Sequence, residues 1–444
     1  VIAQTVAALA LYLISYFALD VELSKSIWAF LALTISGLAI HQAQYIRQKY
    51  KADTSIQDYL VAVYTLAASS FISIGFAISL PLASLPLAIA GQVTATALIY
   101  QRTNITFLKR IMMLLTILFA GLHYEQLSLF LSIILTSIVD EGLSTYTIGL
   151  NISDSFLLNL GIPALLFAVA SMITIKTNKT DQRSLHITFG ATLLLALSSM
   201  YYIVHGHIFA PYLDNFGTSA GFIERGAITL ILALIGMSVV RLTQRLDLSF
   251  LSIWGVVLVN IALFRLVYFD FLMHNPYWEQ SQFVGGTPII NGITLTYGLG
   301  ILIAGWASTS IGNETHKNVY KGIAFAALFA FVTLTIRQLF HGGDIVDNVI
   351  GSTELYSYSV TWLITGIALL TYGIRTKNKG VRMASLAFML LTVGKVFLFD
   401  AAELEGLLRI FSFLGLGVSL IGLSTFYTKF VFSDGAEQKK VSAS

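Results

Sequence analysis

Apolar stretches long enough to cross a lipid bilayer recur along almost the whole chain. A helix needs roughly 20 predominantly apolar residues to span the hydrocarbon core. Only 11% of the 444 residues are charged, against roughly 25% in soluble proteins, so a soluble fold could not cover this much apolar surface. The sequence predicts an all-α, polytopic membrane protein with about fourteen transmembrane helices, at 2–19, 26–45, 58–80, 83–101, 106–122, 155–175, 185–205, 223–240, 248–269, 290–308, 318–340, 355–374, 380–399 and 407–428.

The distribution of basic residues predicts how the chain is oriented. Lys and Arg collect in alternate short connections, which the positive-inside rule places in the cytoplasm. The alternation holds only if the short apolar stretch Leu127–Val139 does not cross, so we predict a re-entrant or interfacial helix there. Both termini are then cytoplasmic, and 433–444 is predicted to be a disordered tail. The predicted cytoplasmic connections include Arg47, Arg102, Arg183, Arg245 and Arg375.

Composition disfavours several classes of function. The net charge of +3 implies no polybasic surface for nucleic acid, and the lack of cysteine removes disulfides and thiolate metal sites. We find no nucleotide-binding motif and expect no bound cofactor. Membrane lipids are the expected partners, together with a periplasmic or membrane-anchored protein in the scaffold alternative below. The chain starts at Val1 inside an apolar run, so we expect it to be part of a longer protein.

An internal repeat carries most of the polar residues that lie in or near the predicted helices. One offset of 130 residues relates two four-helix segments, 155–270 and 290–400. Four crossings give both copies the same orientation, so we predict parallel repeats. We interpret 26–139 as a diverged third copy with the re-entrant helix, 1–25 as a first helix and 407–430 as a closing helix. The paired residues are His186 and His316, His207 and Arg337, Glu224 and Glu354, Gly236 and Gly366, Arg245 and Arg375, Arg265 and Lys395, and Asp270 and Asp400.

The C-terminal part of the chain carries a recognisable signature. Residues 394–400 read GKVFLFD and run into residues 404–417, LEGLLRIFSFLGLG; weaker similarity reaches upstream through 337–342 and 354–359. This pattern resembles the bacterial multi-pass family called domain of unknown function 2339. The resemblance implies a protein of the bacterial cytoplasmic (inner) membrane, often linked to the cell envelope and generally longer than this chain. It implies no activity and no catalytic residues.

Several polar residues are predicted at the outer, periplasmic ends of the helices, and they form our candidate binding cluster. Arg265 and Lys395 each lie about 7.5 Å of helix rise inside the acidic residue that follows, and a cation at that depth needs a partner or a wet cavity. Glu224 and Glu354 are the predicted partners. Such pairs would either line a vestibule for a charged head group or sugar, or pin helices together. The cluster comprises Glu224, Arg265, Asp270, Arg337, Glu354, Lys395, Asp400, His207 and His341.

Metal binding and catalysis have weaker support. His205 and His207 could offer two ligands, but zinc needs three or four well-placed ones. No nucleophile motif such as G-x-S-x-G accompanies the acidic residues. We therefore predict no metal site and no catalytic residues, and place a periplasm-facing membrane enzyme behind two other functions. The leading hypothesis is an inner-membrane protein that handles or transports a lipid, glycan or small polar solute through a periplasm-facing cavity. The alternative is a non-catalytic scaffold subunit that anchors a periplasmic partner.

Overall fold

The computed structural model describes residues 2–19, 23–49, 54–81, 84–124, 128, 160–178, 181–204, 221–278, 283–346, 349–400 and 407–430. Helices dominate this part of the chain, and it contains no β-strand. The predicted re-entrant stretch 127–139, apart from residue 128, and the predicted tail 433–444 lie outside the described residues. The all-α class is therefore confirmed for the described part of the chain.

Each of the fourteen predicted apolar ranges overlaps one described α-helix. By length and composition, nine spans among the described residues could cross a membrane, so the count of fourteen crossings stays a prediction. The nine spans fall on α1, α2, α3, α7, α8, α9, α11, α12 and α13. The helices are α1 (Ile2–Leu19), α2 (Lys25–Lys49), α3 (Thr54–Ser79), α4 (Leu85–Thr103), α5 (Phe107–Leu122), α6 (Ile162–Thr177), α7 (Gln182–Tyr202), α8 (Gly221–Arg245), α9 (Ser252–Arg265), α10 (Leu299–Ser310), α11 (Glu314–His341), α12 (Ser352–Arg375), α13 (Lys379–Lys395) and α14 (Leu407–Phe430).

Several helices continue into or start from π-helical turns. The segment Leu266–Met273 extends α9, Thr294–Gly298 precedes α10, and Val396–Asp400 extends α13. A π-turn shifts the backbone hydrogen bonds by one residue and often marks a functional position. Arg265 and Lys395 are the last α-helical residues before two of these turns.

Two helices, α11 and α13, begin directly after a polar residue that caps their first turn. Asn313 and Asn378 cap α11 and α13, because their side-chain oxygens accept the backbone N–H of His316 at 3.1 Å and of Val381 at 3.3 Å. Both caps satisfy a backbone donor that the first helical turn leaves without a partner.

The contacts divide the chain into two units, of which the first comprises Val1–Asp214 and Ser238–Gly255. Its main core joins α2 to α7, and it includes small and medium apolar side chains such as Ala90 and Val93. Small residues allow membrane helices to approach closely. A buried amide adds a polar contact between α3 and α4, since Gln92 Nε2 donates to Ser69 Oγ at 2.7 Å and Ser73 Oγ donates to Gln92 Oε1 at 3.0 Å.

The second unit comprises Asn215–Met237 and Val256–Ser444. Its core is built from α8 to α11 around the fully buried Phe222 and Tyr297. A bridge between Phe283 and Asp344 ties the segment before α10 to the segment after α11. Gln338 strengthens this link, because its Nε2 donates to Gly285 O at 2.8 Å. The residues directly after α11 are thereby held beside the polar residues described next.

Candidate functional site

The end of α11 and the start of α12 bring three ionisable side chains into contact. Arg337 and His341 are four residues apart and share a helix face. Glu354 lies in the first turn of α12, where the helix dipole favours a carboxylate. Arg337 Nη1 lies 3.0 Å from Glu354 Oε1, and His341 Nε2 lies 2.7 Å from Glu354 Oε2. Tyr358 OH also donates to Oε1, at 2.7 Å. We call these four residues the Glu354 network.

The guanidinium of Arg337 is held from several sides. Its Nε donates to Ile345 O at 2.8 Å, and its Cζ lies 5.2 Å from the ring centroid of Tyr277. The side chains of Arg337 and Glu354 are only 3% and 2% exposed. Because a buried charge is tolerated only when paired and hydrogen-bonded, the two side chains depend on each other.

A second buried ion pair links α8 to the π-turn after α9. Arg225 Nε lies 3.3 Å from Asp270 Oδ1, and Arg225 Nη2 donates to His274 O at 3.1 Å. Tyr297 OH donates to Asp270 O, and Asn275 Nδ2 donates to Tyr297 OH at 3.3 Å. We call Arg225, Asp270, Asn275 and Tyr297 the Asp270 network. Asp270 is fully buried, and its Oδ2 accepts no hydrogen bond from the described residues.

Arg265 and Lys395 each contact a hydroxyl on the preceding long helix. Arg265 Nε donates to Thr229 Oγ1 at 3.3 Å, and Lys395 Nζ donates to Ser359 Oγ at 2.8 Å. Lys395 Nζ also donates to Leu355 O, at 2.7 Å. The two contacts are separated by the same 130 residues that relate the predicted repeats. Each cation thus contacts a hydroxyl oxygen at the equivalent position of its segment.

A cavity of about 380 Å³ lies in the second unit, between α11, α12, α13 and the segment after α9. Lys395 reaches its wall from α13, at the point where α-helix gives way to π-helix. Most of the remaining wall is apolar. Its aromatic rings belong to Phe271, Tyr277, Trp278, Phe329, Tyr358, Trp362 and Phe399.

Both buried networks reach this cavity. Tyr358 of the Glu354 network and Asn275 of the Asp270 network line its wall, as does Tyr277, which packs on Arg337. The charged groups of Arg337 and Asp270 are not part of the wall. The two ion pairs therefore position wall residues, whereas Lys395 faces the cavity itself.

The structure brings together some of the residues predicted as one cluster. Glu354 contacts Arg337 and His341, while Lys395 reaches Leu355 and Ser359 in place of the predicted contact with Glu354. Of the remaining members, Glu224 is buried on α8 and Arg265 contacts Thr229. Asp270 lies in the Asp270 network. His207 and the side chain of Asp400 lie outside the described residues.

Sequence reasoning missed several residues that complete the site. Arg225 follows Glu224 directly, and this neighbour could have suggested a second charge at the start of α8. Tyr358 stands four residues after Glu354, the spacing that places two side chains on one helix face. Asn275 and Tyr277 carry no comparable signal. Within the described residues, no group of three His, Asp or Glu side chains could hold a metal ion.

Comparison with known proteins gives one match, which is to a protein family and covers all the described residues. The sequence profile of the family described as "Predicted membrane protein (DUF2339)" matches residues 1–430. No curated protein and no solved structure matches the chain.

Proposed function

The chain belongs to the DUF2339 family of membrane proteins, and on that premise we propose that it binds a membrane lipid with an anionic head group in the cavity beside Lys395. The observation that carries the proposal is a cation at the wall of an otherwise mainly aromatic cavity. Its volume of about 380 Å³ falls within the range of small-molecule sites, roughly 300–1,000 Å³. The sequence left a lipid, a glycan and a small polar solute as possible ligands, and this proposal selects the lipid.

The composition of the wall favours a lipid over a glycan or a polar solute. A sugar would need several hydrogen-bonding groups, and the hydroxyls of Thr333 and Tyr358 are already engaged, with Trp362 and Glu354 respectively. The aromatic rings offer contact for an acyl or isoprenoid chain. The ammonium of Lys395 already donates to Leu355 O and Ser359 Oγ, and a phosphate or carboxylate would replace or share one of these neutral acceptors in a stronger, charge-assisted hydrogen bond.

Local geometry supports the predicted duplication as the origin of this site. Asp247 and Lys377, which follow α8 and α12, have left-handed backbones with φ of 57° and 52°. Residue 266 starts one π-turn and residue 396 starts another. These features recur at the same offset as the cation–hydroxyl contacts of Arg265 and Lys395, and we propose that 155–270 and 290–400 are parallel repeats.

The two proposed copies differ in the space beside their cation–hydroxyl contact. In the earlier copy, a cavity lined by Thr229 and Leu266 has a volume of only about 10 Å³. Close packing explains this, since a Cβ added at Gly300 would lie 2.8 Å from Leu266 Cδ2. The later copy keeps about 380 Å³ beside Lys395. We propose that packing closed the first site and that the second retained the ligand.

The proposed orientation puts the Lys395 end of α13 and the Glu354 end of α12 at the periplasmic face of the inner membrane. The absence of cysteine makes this easy to test, because a single introduced cysteine is the only labelling site. We expect Val349→Cys, before α12, to react with a membrane-impermeant maleimide in intact spheroplasts. Thr376→Cys, after α12, should react only when the membrane is opened. The reverse pattern would overturn the orientation.

Lipid binding is tested by purifying Lys395→Met and measuring the bound lipid by native mass spectrometry. We expect anionic lipid to bind about 10- to 100-fold more weakly, the effect of losing a charge-assisted hydrogen bond of about 1.5–3 kcal/mol. Lys395→Arg should retain most of the binding, because it keeps the positive charge.

Two further variants make the result specific. Lys379→Met removes an exposed cation from the other end of α13 and should leave binding unchanged. Ala330→Phe adds a ring to the cavity wall and should displace the lipid although Lys395 is intact. Equal lipid occupancy in Lys395→Met and the wild type, both folded as judged by thermal unfolding, would disprove the proposal.

A further inference from the structure

A second and larger cavity, of about 690 Å³, lies in the first unit. Its wall is formed by residues 2–9 of α1, residues 58–70 of α3 and residues 106–110 at the start of α5. We propose that it binds a phospholipid with a zwitterionic, amine-bearing head group of the phosphoethanolamine type. This site is independent of the cavity beside Lys395.

The charged residues of the cavity lie at one end, and most of the wall beyond them is apolar. Asp58, Thr106 and Arg110 lie near the starts of α3 and α5, whereas Leu66 lines the wall further along α3. From Asp58 to Ser70 the α3 wall rises about 18 Å at 1.5 Å per residue. One leaflet of a hydrocarbon core is about 15 Å deep, so an acyl chain fits along this wall.

Two opposite charges at the polar end match a zwitterion. Asp58 on α3 and Arg110 on α5 are both exposed and line the same cavity. Within the described residues they form no ion pair with each other or with a third residue. The guanidinium of Arg110 can bind a phosphate with two donors, and Asp58 can accept from the ammonium of the same head group. A purely anionic head group would satisfy Arg110 but would be repelled by Asp58.

A lipid can reach this site from the bilayer. Val6 of α1 is 62% exposed and Leu66 of α3 is 38% exposed, although both line the cavity. Tyr59, next to Asp58, is 54% exposed, as expected for an aromatic side chain at a membrane interface. The cavity therefore presents its charged end at the head-group level and its apolar wall to the lipid chains.

The test uses the full chain in nanodiscs that contain equal amounts of phosphatidylethanolamine and phosphatidylglycerol. Bound lipid is identified by native mass spectrometry after extraction into mild detergent. We expect the wild type to retain phosphatidylethanolamine in this cavity in addition to the anionic lipid held beside Lys395, and the Lys395→Met background to retain phosphatidylethanolamine preferentially. Asp58→Asn should lower that preference about three- to fivefold, the effect of an exposed ion pair of up to about 1 kcal/mol. Arg110→Gln should lower the retention of both lipids, because both carry the phosphate.

Control variants separate this site from general lipid contact. Arg102→Gln removes an exposed cation from the end of α4, outside the cavity, and should leave the preference unchanged. Leu66→Trp fills the cavity without changing a charge and should reduce phosphatidylethanolamine retention. Lys395→Met should lower the retention of phosphatidylglycerol, which it loses from the other cavity, and leave the retention of phosphatidylethanolamine unchanged. An unchanged lipid preference in Asp58→Asn, or unchanged retention in Arg110→Gln, would overturn the proposal.

Discussion

Replacing Arg337 by methionine is expected to destabilise the protein by about 3–5 kcal/mol, the usual cost of removing one partner from a buried ion pair. Glu354 would remain as a buried carboxylate that has lost the guanidinium 3.0 Å away in the wild type. Ile345 O would lose its donor in the same step. The measurement is the midpoint of thermal unfolding of the purified protein in detergent, together with the yield of folded protein.

The controls for Arg337→Met test the ion pair itself. Adding Glu354→Gln should recover much of the lost stability, since no buried charge then remains uncompensated. Lys321→Met, which removes an exposed cation from the same helix, should change stability by less than about 1 kcal/mol. A wild-type unfolding midpoint for Arg337→Met would contradict the role that we assign to this contact.

Replacing Arg225 by leucine is expected to have a comparable effect, also about 3–5 kcal/mol. Asp270 is fully buried, and Arg225 supplies the cation beside its Oδ1 at 3.3 Å. Without that cation the carboxylate and the carbonyl of His274 both lose a donor. Asp270→Asn should lower the free energy of unfolding less, by about 1–3 kcal/mol. The substitution leaves Arg225 without its charged partner, but the neutral amide of Asn is easier to bury than a carboxylate.

The four proteins of this double-mutant cycle isolate the Arg225–Asp270 interaction. If the pair acts as a unit, the double variant should be markedly more stable than the sum of the two single effects implies. Arg245→Leu, at the exposed far end of the same helix, serves as the matched control and should cost less than about 1 kcal/mol. Additive effects of the two single substitutions would show that Arg225 and Asp270 act separately.

Helix positions were predictable from hydropathy, but the way helices end was not. The range 248–269 is mostly apolar and predicts one continuous span, whereas the structure ends α9 at Arg265 and continues as a π-helix over Leu266–Met273. The same holds for the range 380–399 and the π-turn at Val396–Asp400. A π-turn changes the hydrogen-bond register by one residue. The hydropathy of an apolar span is the same whether its last turn is α-helical or π-helical, so the sequence does not distinguish the two.

The partners in the ion pairs could also not be predicted from the sequence. The repeat suggested that Glu354 pairs with Lys395, but a short connection places the end of α11 next to the start of α12, and Glu354 contacts Arg337 and His341 instead. Arg225 and Asp270 are 45 residues apart, and only the tertiary contact between α8 and the π-turn after α9 shows that they meet. A cation near a helix end can reach several carboxylates until the rotation of each helix is known.

The sequence by itself determined that this chain is an all-helical membrane protein and where its apolar helices lie. This follows because the bilayer sets the length of an apolar span and requires its backbone groups to be hydrogen-bonded internally. Only the tertiary structure decided which charges meet and where a cavity remains between the helices. Each residue turns a helix face by about 100°, so contacts within 3–4 Å depend on helix rotation and packing, which hydropathy does not encode.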